Sequence, residues 1–413
     1  MTLIFFFILF LLLVINFQIT KKLFHPTIIF KSSWLLSTYI LLFFKDRWGV
    51  ELSLETVLIY LAGFIFFDIG YLSFSLVKKS ASKKTKKCYC DSRLKANRVI
   101  IIFISTLVLS VTLIYSISRL MGGFYVFIYN LMGYRAIKYS GSGGATNLHS
   151  LLFRIIELIG ISTFIFFLRE RSNICNSRKR MYTIIMIISF GIQLLSSGRM
   201  RILAILIQSL AVYIVWLEKN GFTMNLKNQI RMLKKATAFL LIFLLFFYSF
   251  GKYVLNKINN DPLNNIAIYT SSGIVAFDLT WRNNSLSSER FGQKVLAPIY
   301  NITDRILPVE KENTKAVEER IRFGRDFSTN VYTLYHEQIK DFGPFSIPII
   351  MLLIGLFIAF LEYKAKNERS MGFWTAIYVM YIYGLFMSFY KDYFFINSTF
   401  TYLSILVYFL IFK

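Results

Sequence analysis

Acidic residues, cysteine and histidine are all scarce in this chain. Its 413 residues include 22 Asp and Glu against 47 Lys and Arg, with three cysteines and three histidines. Cys88 and Cys90 lie in one basic segment and Cys175 lies in another, so we expect neither a disulfide framework nor a zinc site. Phosphate loops and nucleotide-binding motifs are also lacking. We therefore expect no cofactor and no metal, and any reaction must use an activated substrate.

The formal charge of +25 raises the question of nucleic-acid binding. However, the sequence has no basic helix and no zinc-finger spacing, and its lysines cluster in short segments between apolar runs. That distribution is typical of a protein whose orientation in a membrane is set by its charges. We expect no nucleic-acid partner.

Long apolar runs dominate the sequence, which is 56% hydrophobic and contains 43 phenylalanines. Runs of about 18–22 residues can cross the hydrocarbon core as helices, which predicts an all-α polytopic membrane protein. The first run lacks a basic start and is followed by lysines, so we expect a span and not a signal peptide. The eleven predicted spans are 2–19, 26–44, 54–77, 98–117, 149–168, 181–196, 201–217, 236–254, 344–361, 371–390 and 396–412.

Three regions follow from this count: spans 1–8 in residues 1–254, a large loop at 255–343, and spans 9–11 in residues 344–413. The short segments 78–98, 169–180 and 218–235 are rich in Lys and Arg, and all three fall on one face. Because cytoplasmic loops carry the excess of positive charge, we predict an outer N-terminus and a cytoplasmic C-terminus. The loop 255–343 is then outside, and we expect it to contain short amphipathic helices lying on the outer face.

The short segment "SSGRMR" (196–201) places Arg199 and Arg201 where an outer loop meets the seventh span. A helix N-terminus attracts anions, and the planar guanidinium groups bind phosphate well. Arg135 lies in another outer loop. These residues predict a pocket for a lipid diphosphate, although arginines at helix ends also extend toward lipid headgroups without binding a substrate.

Candidate proton acceptors lie near the end of the large loop. His336 and Glu337 are the candidates for general base, whereas Asp326 and Asp341 are weaker, since most loop carboxylates are solvated or cap helices. Within the spans, Asp68 is costly against lipid and is predicted to face the bundle interior, in a structural or a substrate-binding role. Arg154 and Glu157 are three residues apart and can neutralise each other.

Five segments carry a resemblance to a known family. They are "HPTIIFKSSW" (25–34), "GYRAIKYSGSGG" (133–144), "SSGRMRILAILIQSL" (196–210), "SGIVAFDL" (272–279) and "STNVYTLYHEQIKDFGPFSIPIIMLLIGL" (328–356). Together with the predicted topology, these segments resemble the O-antigen polymerases, the Wzy-type oligosaccharide repeat unit polymerases of bacteria.

The resemblance implies a metal-independent glycosyltransferase at the outer face of the bacterial plasma membrane. Its substrate is an undecaprenyl-diphosphate-linked oligosaccharide, and its partners include membrane lipids, with a flippase and a chain-length regulator as further candidates. The residues that the resemblance suggests for holding the diphosphate are Arg135, Arg199, Arg201, Arg322 and Arg325. His336 or a nearby carboxylate, such as Glu337, is suggested as the base. Independently of the resemblance, the sequence offers Asp68, Arg282 and Asp326 as other candidate site residues.

Three alternatives remain open from the sequence. An O-antigen ligase has the same topology but transfers glycan to lipid A core. A lipid-linked oligosaccharide flippase is expected to have more spans and internal duplication, and no internal repeat is visible here. A membrane scaffold without enzymatic activity is the third.

Overall fold

The computed structural model describes residues 1–81, 96–129, 134, 143–171, 175–196, 199–221, 225–249, 262–283, 286, 291–292, 295, 320–324, 327–394 and 398–413. Helices make up most of these ranges, and the strands form one short antiparallel hairpin. The helices are α1 (Thr2–Thr20), α2 (Pro26–Trp48), α3 (Leu54–Ala81), α4 (Ala96–Leu120), α5 (Phe124–Tyr129), α6 (Gly143–Arg169), α7 (Asn176–Leu195), α8 (Arg199–Lys219), α9 (Leu226–Ser249), α10 (Pro262–Arg282), α11 (Leu334–Phe342), α12 (Ser346–Asn367), α13 (Phe373–Phe386) and α14 (Ser398–Phe412). The strands are β1 (Ile321–Phe323) and β2 (Phe327–Thr329).

A helix lies at each of the eleven predicted positions. Among the described residues, seven helices are long and apolar enough to cross a membrane, namely α1, α2, α3, α4, α6, α8 and α12. The chain is thus a mostly helical, multi-pass membrane protein. The helices α13 and α14 are apolar but shorter, and α9 carries Lys227, Arg231, Lys234 and Lys235 within its first ten residues. The helix α7 has a basic first turn. The four helices α7, α9, α13 and α14 account for the difference between the seven long apolar helices and the eleven predicted spans.

The chain divides into two compact units. The first comprises Met1–Lys84, Asn259–Phe360 and Tyr381–Thr399, and the second comprises Thr85–Ile258, Leu361–Met380 and Phe400–Lys413. In the second unit, α6 packs against α4, α7 and α8. Its core includes Leu113, Ile117, Phe153 and Ile156, which are all buried.

The first unit has an aromatic core between α2 and α3. Trp34 lies edge-on against Tyr60 and Phe64, with ring centroids 4.8 and 5.4 Å apart. Phe30 contacts the Phe64 and Phe67 rings, each at 4.9 Å. Interlocking rings make closer dispersion contacts with each other than flexible lipid chains make with either helix. These contacts hold α2 and α3 side by side.

The large loop 255–343 differs from its prediction, because it is not built from short surface helices alone. It contains α10, a helix of 21 residues in which all residues from Ser271 to Asp278 are buried. Eight successive buried residues cover every side of a helix, so α10 lies inside the first unit. Its serine, threonine and asparagine content is the reason that hydropathy alone indicated a loop. The polar groups are satisfied within the protein, as in the exchange between α2 and α10, where Ser37 Oγ donates to the Thr270 carbonyl and Ser271 Oγ donates to the Ser37 carbonyl.

The helices α3 and α12 touch through backbone atoms at two glycines. A Cβ atom at Gly70 would overlap the carbonyl oxygen of Leu352, and one at Gly355 would overlap the carbonyl oxygen of Phe67. Such small-residue crossings bring helices close together in membranes. The close approach therefore depends on the lack of a side chain at both positions.

We predict that Gly70→Ala and Gly355→Ala each lower the stability of the detergent-solubilised protein by at least about 2 kcal/mol, because the added methyl group forces the helices apart. Gly191→Ala is the matched control, since Gly191 is also helical and a Cβ there meets no atom within 4 Å. The control is expected to be neutral or stabilising, because alanine favours a helix over glycine. Thermal unfolding measures all three, and equal melting temperatures for the three variants would contradict the close crossing.

Candidate functional site

The short helix α11 lies inside the first unit and not on its surface. Seven of its nine residues are buried, among them the polar residues His336, Glu337, Gln338 and Asp341. Tyr335 occupies the space next to Gly63 of α3, where a Cβ would overlap the phenol ring. Gly63 is nine residues after the first residue of α3, which corresponds to about 14 Å of helix. This segment is therefore buried in the first unit, and not exposed on a surface as an amphipathic surface helix would be.

Aromatic contacts explain why α11 is inserted. The ring of Tyr335 lies 5.4 Å from that of Trp34 and 5.2 Å from that of Tyr60. Trp34 is itself fixed by a hydrogen bond of 2.8 Å from its indole nitrogen to Ser388 Oγ. Burial raises the pKa of Tyr335 well above its ordinary value, with a further contribution from the negative charge of Asp68. Tyr335 is therefore a neutral phenol, which can donate a hydrogen bond but does not act as a base near neutral pH.

The β-hairpin brings the chain to α11. The sequence predicts short helices in the large loop, but here Phe323 pairs with Phe327 across two antiparallel strands. The Phe323 and Phe327 rings lie 5.2 and 6.2 Å from the indole of Trp48. Alternation of apolar and polar residues favours a strand, and Gly324 has a φ of 60° in the turn.

A hydrogen bond and a close backbone contact fix the chain between β2 and α11. Thr329 Oγ1 and Ser272 Oγ of α10 are 2.9 Å apart. A Cβ at Gly273 would lie 2.7 Å from the Phe389 carbonyl and 3.6 Å from the Thr333 amide nitrogen. The residues between β2 and α11 are therefore held against α10 by contacts that only small residues allow.

His336 and Glu337 are both buried, with exposed fractions of 5% and 3%. The His336 imidazole stacks on the Tyr332 ring at a centroid distance of 3.9 Å and an interplanar angle of 22°. Consecutive residues of a helix point in directions about 100° apart, so the two side chains do not form one paired site. Both side chains are enclosed by the protein, on different sides of α11.

Asp68 faces the interior, as predicted, and forms an ion pair. Its Oδ1 and Oδ2 atoms lie 2.6 and 2.7 Å from Lys31 Nζ, and Asn16 Nδ2 donates to Oδ2 over 3.0 Å. The three residues join α1, α2 and α3. Lys31, a charge within the second predicted span, is thus the counter-charge of Asp68. Two opposite charges in neighbouring apolar runs were the available signal, since charges in a membrane pair with one another.

Arg282 has a structural contact in the first unit. Its Nη2 lies 2.7 Å from Asp278 Oδ2 and also donates to the Glu51 carbonyl. Asp278 Oδ1 accepts hydrogen bonds from both the amide and the hydroxyl of Ser53, each of 2.8 Å. Asp278 is fully buried and was not a predicted site residue, although it lies in the segment "SGIVAFDL". The pair attaches the α2–α3 connection to α10.

The other predicted residues are distributed between the two units. Arg322 is exposed in the centre of β1 in the first unit. Arg201 is in the first turn of α8 in the second unit, where its guanidinium carbon lies 5.3 Å from the centre of the Phe153 ring. Arg199 is the first residue of α8, but its side chain lies outside the described part of the chain. Arg135, Arg325 and Asp326 also lie outside it.

Two further predicted residues have clear contacts. Asp341 Oδ2 accepts a hydrogen bond of 2.8 Å from the Val295 amide, which fixes part of the loop and favours a structural role. Arg154 Nη1 lies 2.6 Å from Glu157 Oε1, and Arg154 Nε donates to Ser404 Oγ over 3.1 Å. The predicted neutralisation of Arg154 by Glu157 is confirmed.

Comparison of the chain with models of protein families, with curated proteins and with solved structures finds no match. The function must therefore be argued from the residues and their geometry.

We predict that Asp68→Asn destabilises the first unit by about 3–5 kcal/mol, because it leaves the fully buried Lys31 ammonium without its counter-charge. The double variant Lys31→Met/Asp68→Asn is expected to recover most of this loss, since neither charge then remains. Thermal unfolding in detergent distinguishes the variants. A double variant no more stable than Asp68→Asn would contradict a direct ion pair.

Proposed function

We propose that the chain is a membrane glycosyltransferase that polymerises undecaprenyl-diphosphate-linked oligosaccharide repeat units. The observation that carries the proposal is the insertion of α11 among membrane helices with His336 and Glu337 buried on it. A buried polar helix is costly in stability, since polar groups lose their hydration. Structural features that lower stability in this way are concentrated at sites of binding and catalysis.

The chemistry requires a proton acceptor that is shielded from bulk water. In the proposed reaction, a hydroxyl oxygen of one repeat unit attacks the anomeric carbon of the glycan on the donor lipid. A new C–O bond forms, the bond from the anomeric carbon to the diphosphate breaks, and undecaprenyl diphosphate leaves with the electron pair. His336 or Glu337 accepts the hydroxyl proton. Exclusion of water favours this transfer over hydrolysis of the activated donor.

The leaving diphosphate requires positive charge. In the proposal, Arg199 and Arg201 bind a lipid diphosphate at the first turn of α8, where the free amides of the helix N-terminus add to the attraction. Arg135, Arg322 and Arg325 are further proposed contacts for the diphosphate or the glycan. The guanidinium carbon of Arg201 lies 5.3 Å from the centre of the Phe153 ring.

The membrane location fits the class of substrate. The seven long apolar helices place the protein in a bilayer, where a polyprenyl chain is dissolved. Under the proposal the site faces outward at the bacterial plasma membrane, with the N-terminus outside and the C-terminus in the cytoplasm. A flippase would supply the lipid-linked repeat unit, and a chain-length regulator would act on the polymer.

We predict that loss of the base lowers the rate of polymerisation by about 10²–10⁴-fold. The substitution Glu337→Gln or His336→Asn removes it. Arg201→Ala is expected to prevent the formation of long chains as well. The assay uses the purified protein with a synthetic undecaprenyl-diphosphate repeat unit, and gel electrophoresis resolves the products. Lys340→Gln is the control, because Lys340 is on the same helix but only partly buried.

A full-length polymer ladder from all three variants, with the control also active, would contradict the assignment of the site. If the wild-type protein forms no polymer but transfers a preassembled glycan to lipid A core, the protein is a ligase. Size-exclusion profiles that match the wild type exclude loss of folding as the cause of an inactive variant.

A further inference from the structure

A cavity in the second unit combines two cations with an apolar wall. Its volume is about 420 Å³, and it is lined by Phe164, Phe167, Leu168, Arg171, Lys179 and Tyr213. None of these residues belongs to the proposed catalytic site. The cavity lies where α6 ends, α7 begins and α8 passes its last turns, so it is at one end of these helices.

The cations and the apolar residues occupy different levels of the cavity. Arg171 follows the end of α6 and Lys179 is in the first turn of α7, whereas Phe164 lies further back along α6. From Phe164 to the last residue of α6, Arg169, the helix rises by about 8 Å. The cavity therefore presents positive charge where the apolar helices α6 and α8 end, and an apolar wall further along the same helices.

The two cations are exposed and suitable for binding an anion. The guanidinium carbon of Arg171 lies 5.4 Å from the centre of the Trp216 ring, which orients it. Within the described ranges, neither Arg171 nor Lys179 forms an ion pair with a carboxylate. The nearest acid along the chain, Glu170, is buried and is engaged by Tyr182 Oη at 3.3 Å and Arg178 Nη1 at 3.8 Å.

We infer that this cavity binds an anionic phospholipid. Arg171 and Lys179 contact the headgroup phosphate, and the first part of an acyl chain lies against Phe164, Phe167, Leu168 and Tyr213. The basic segment 169–180 lies on the face predicted to be cytoplasmic, where anionic lipids attract Lys and Arg. A soluble phosphate compound shares the charge chemistry but makes no use of the apolar wall. The charge and the wall together favour a lipid over a soluble anion.

Native mass spectrometry of the full-length protein in detergent tests this inference, with phosphatidylglycerol and phosphatidylcholine added in parallel. We predict that Arg171→Gln/Lys179→Gln weakens binding of phosphatidylglycerol by at least about tenfold and changes binding of phosphatidylcholine little. The matched control is Arg231→Gln/Lys234→Gln, which removes the same charge from exposed positions of α9 that do not line the cavity. The charge-preserving variant Arg171→Lys/Lys179→Arg is expected to retain binding, which separates loss of charge from loss of folding.

Three outcomes would overturn the inference. Equal weakening in the control would indicate diffuse surface charge. If Arg171→Gln/Lys179→Gln elutes like the wild type and binds phosphatidylglycerol equally well, the cavity is not the binding site. Glycerol phosphate or inorganic phosphate binding as tightly as the lipid would indicate a site for a soluble anion. None of these outcomes depends on glycosyltransferase activity, so the inference and the proposed function fail separately.

Discussion

Polar groups in the hydrocarbon interior of a membrane must find their partners within the protein, and the first unit is organised by this constraint. Lys31 and Asp68 pair across α2 and α3, with Asn16 of α1 completing the contact. The α10 helix is polar enough to resemble a loop, yet it is enclosed and bonded to its neighbours. Among the described residues, Ser37, Ser271 and Asp68 each have a protein partner in this unit.

The same constraint gives the proposed site its chemical value. Aromatic rings of α2 and α3 surround Tyr335, and this packing places the adjacent His336 and Glu337 within the protein. A base that water does not reach freely can activate a sugar hydroxyl while the donor is protected from hydrolysis. The missing side chain at Gly63 leaves room for the Tyr335 ring, and close backbone contacts at Gly70 and Gly355 hold α3 and α12 together.

The sequence predicts the long apolar helices, because a run of apolar residues long enough to span a bilayer has few other structures open to it. It also predicts the interior position of Asp68 and the pairing of Arg154 with Glu157, which are three residues apart. It does not identify Lys31 as the partner of Asp68, since the two are 37 residues apart and only the helix packing brings them together. The burial of α10 and α11 is missed for a related reason, because Ser271, Ser272 and Glu337 are buried through tertiary contacts and not through hydropathy.

The proposed site depends on the position of α11 within the helix bundle of the first unit. Hydrogen–deuterium exchange of the full-length protein in lipid nanodiscs measures this directly through peptides that cover Leu334–Phe342. The account predicts that their amides exchange as slowly as those of α3, and far more slowly than amides at the exposed turn near Gly324. Exchange of the α11 amides within seconds, at the rate of a solvated loop, would contradict the insertion and remove the basis for the proposed site.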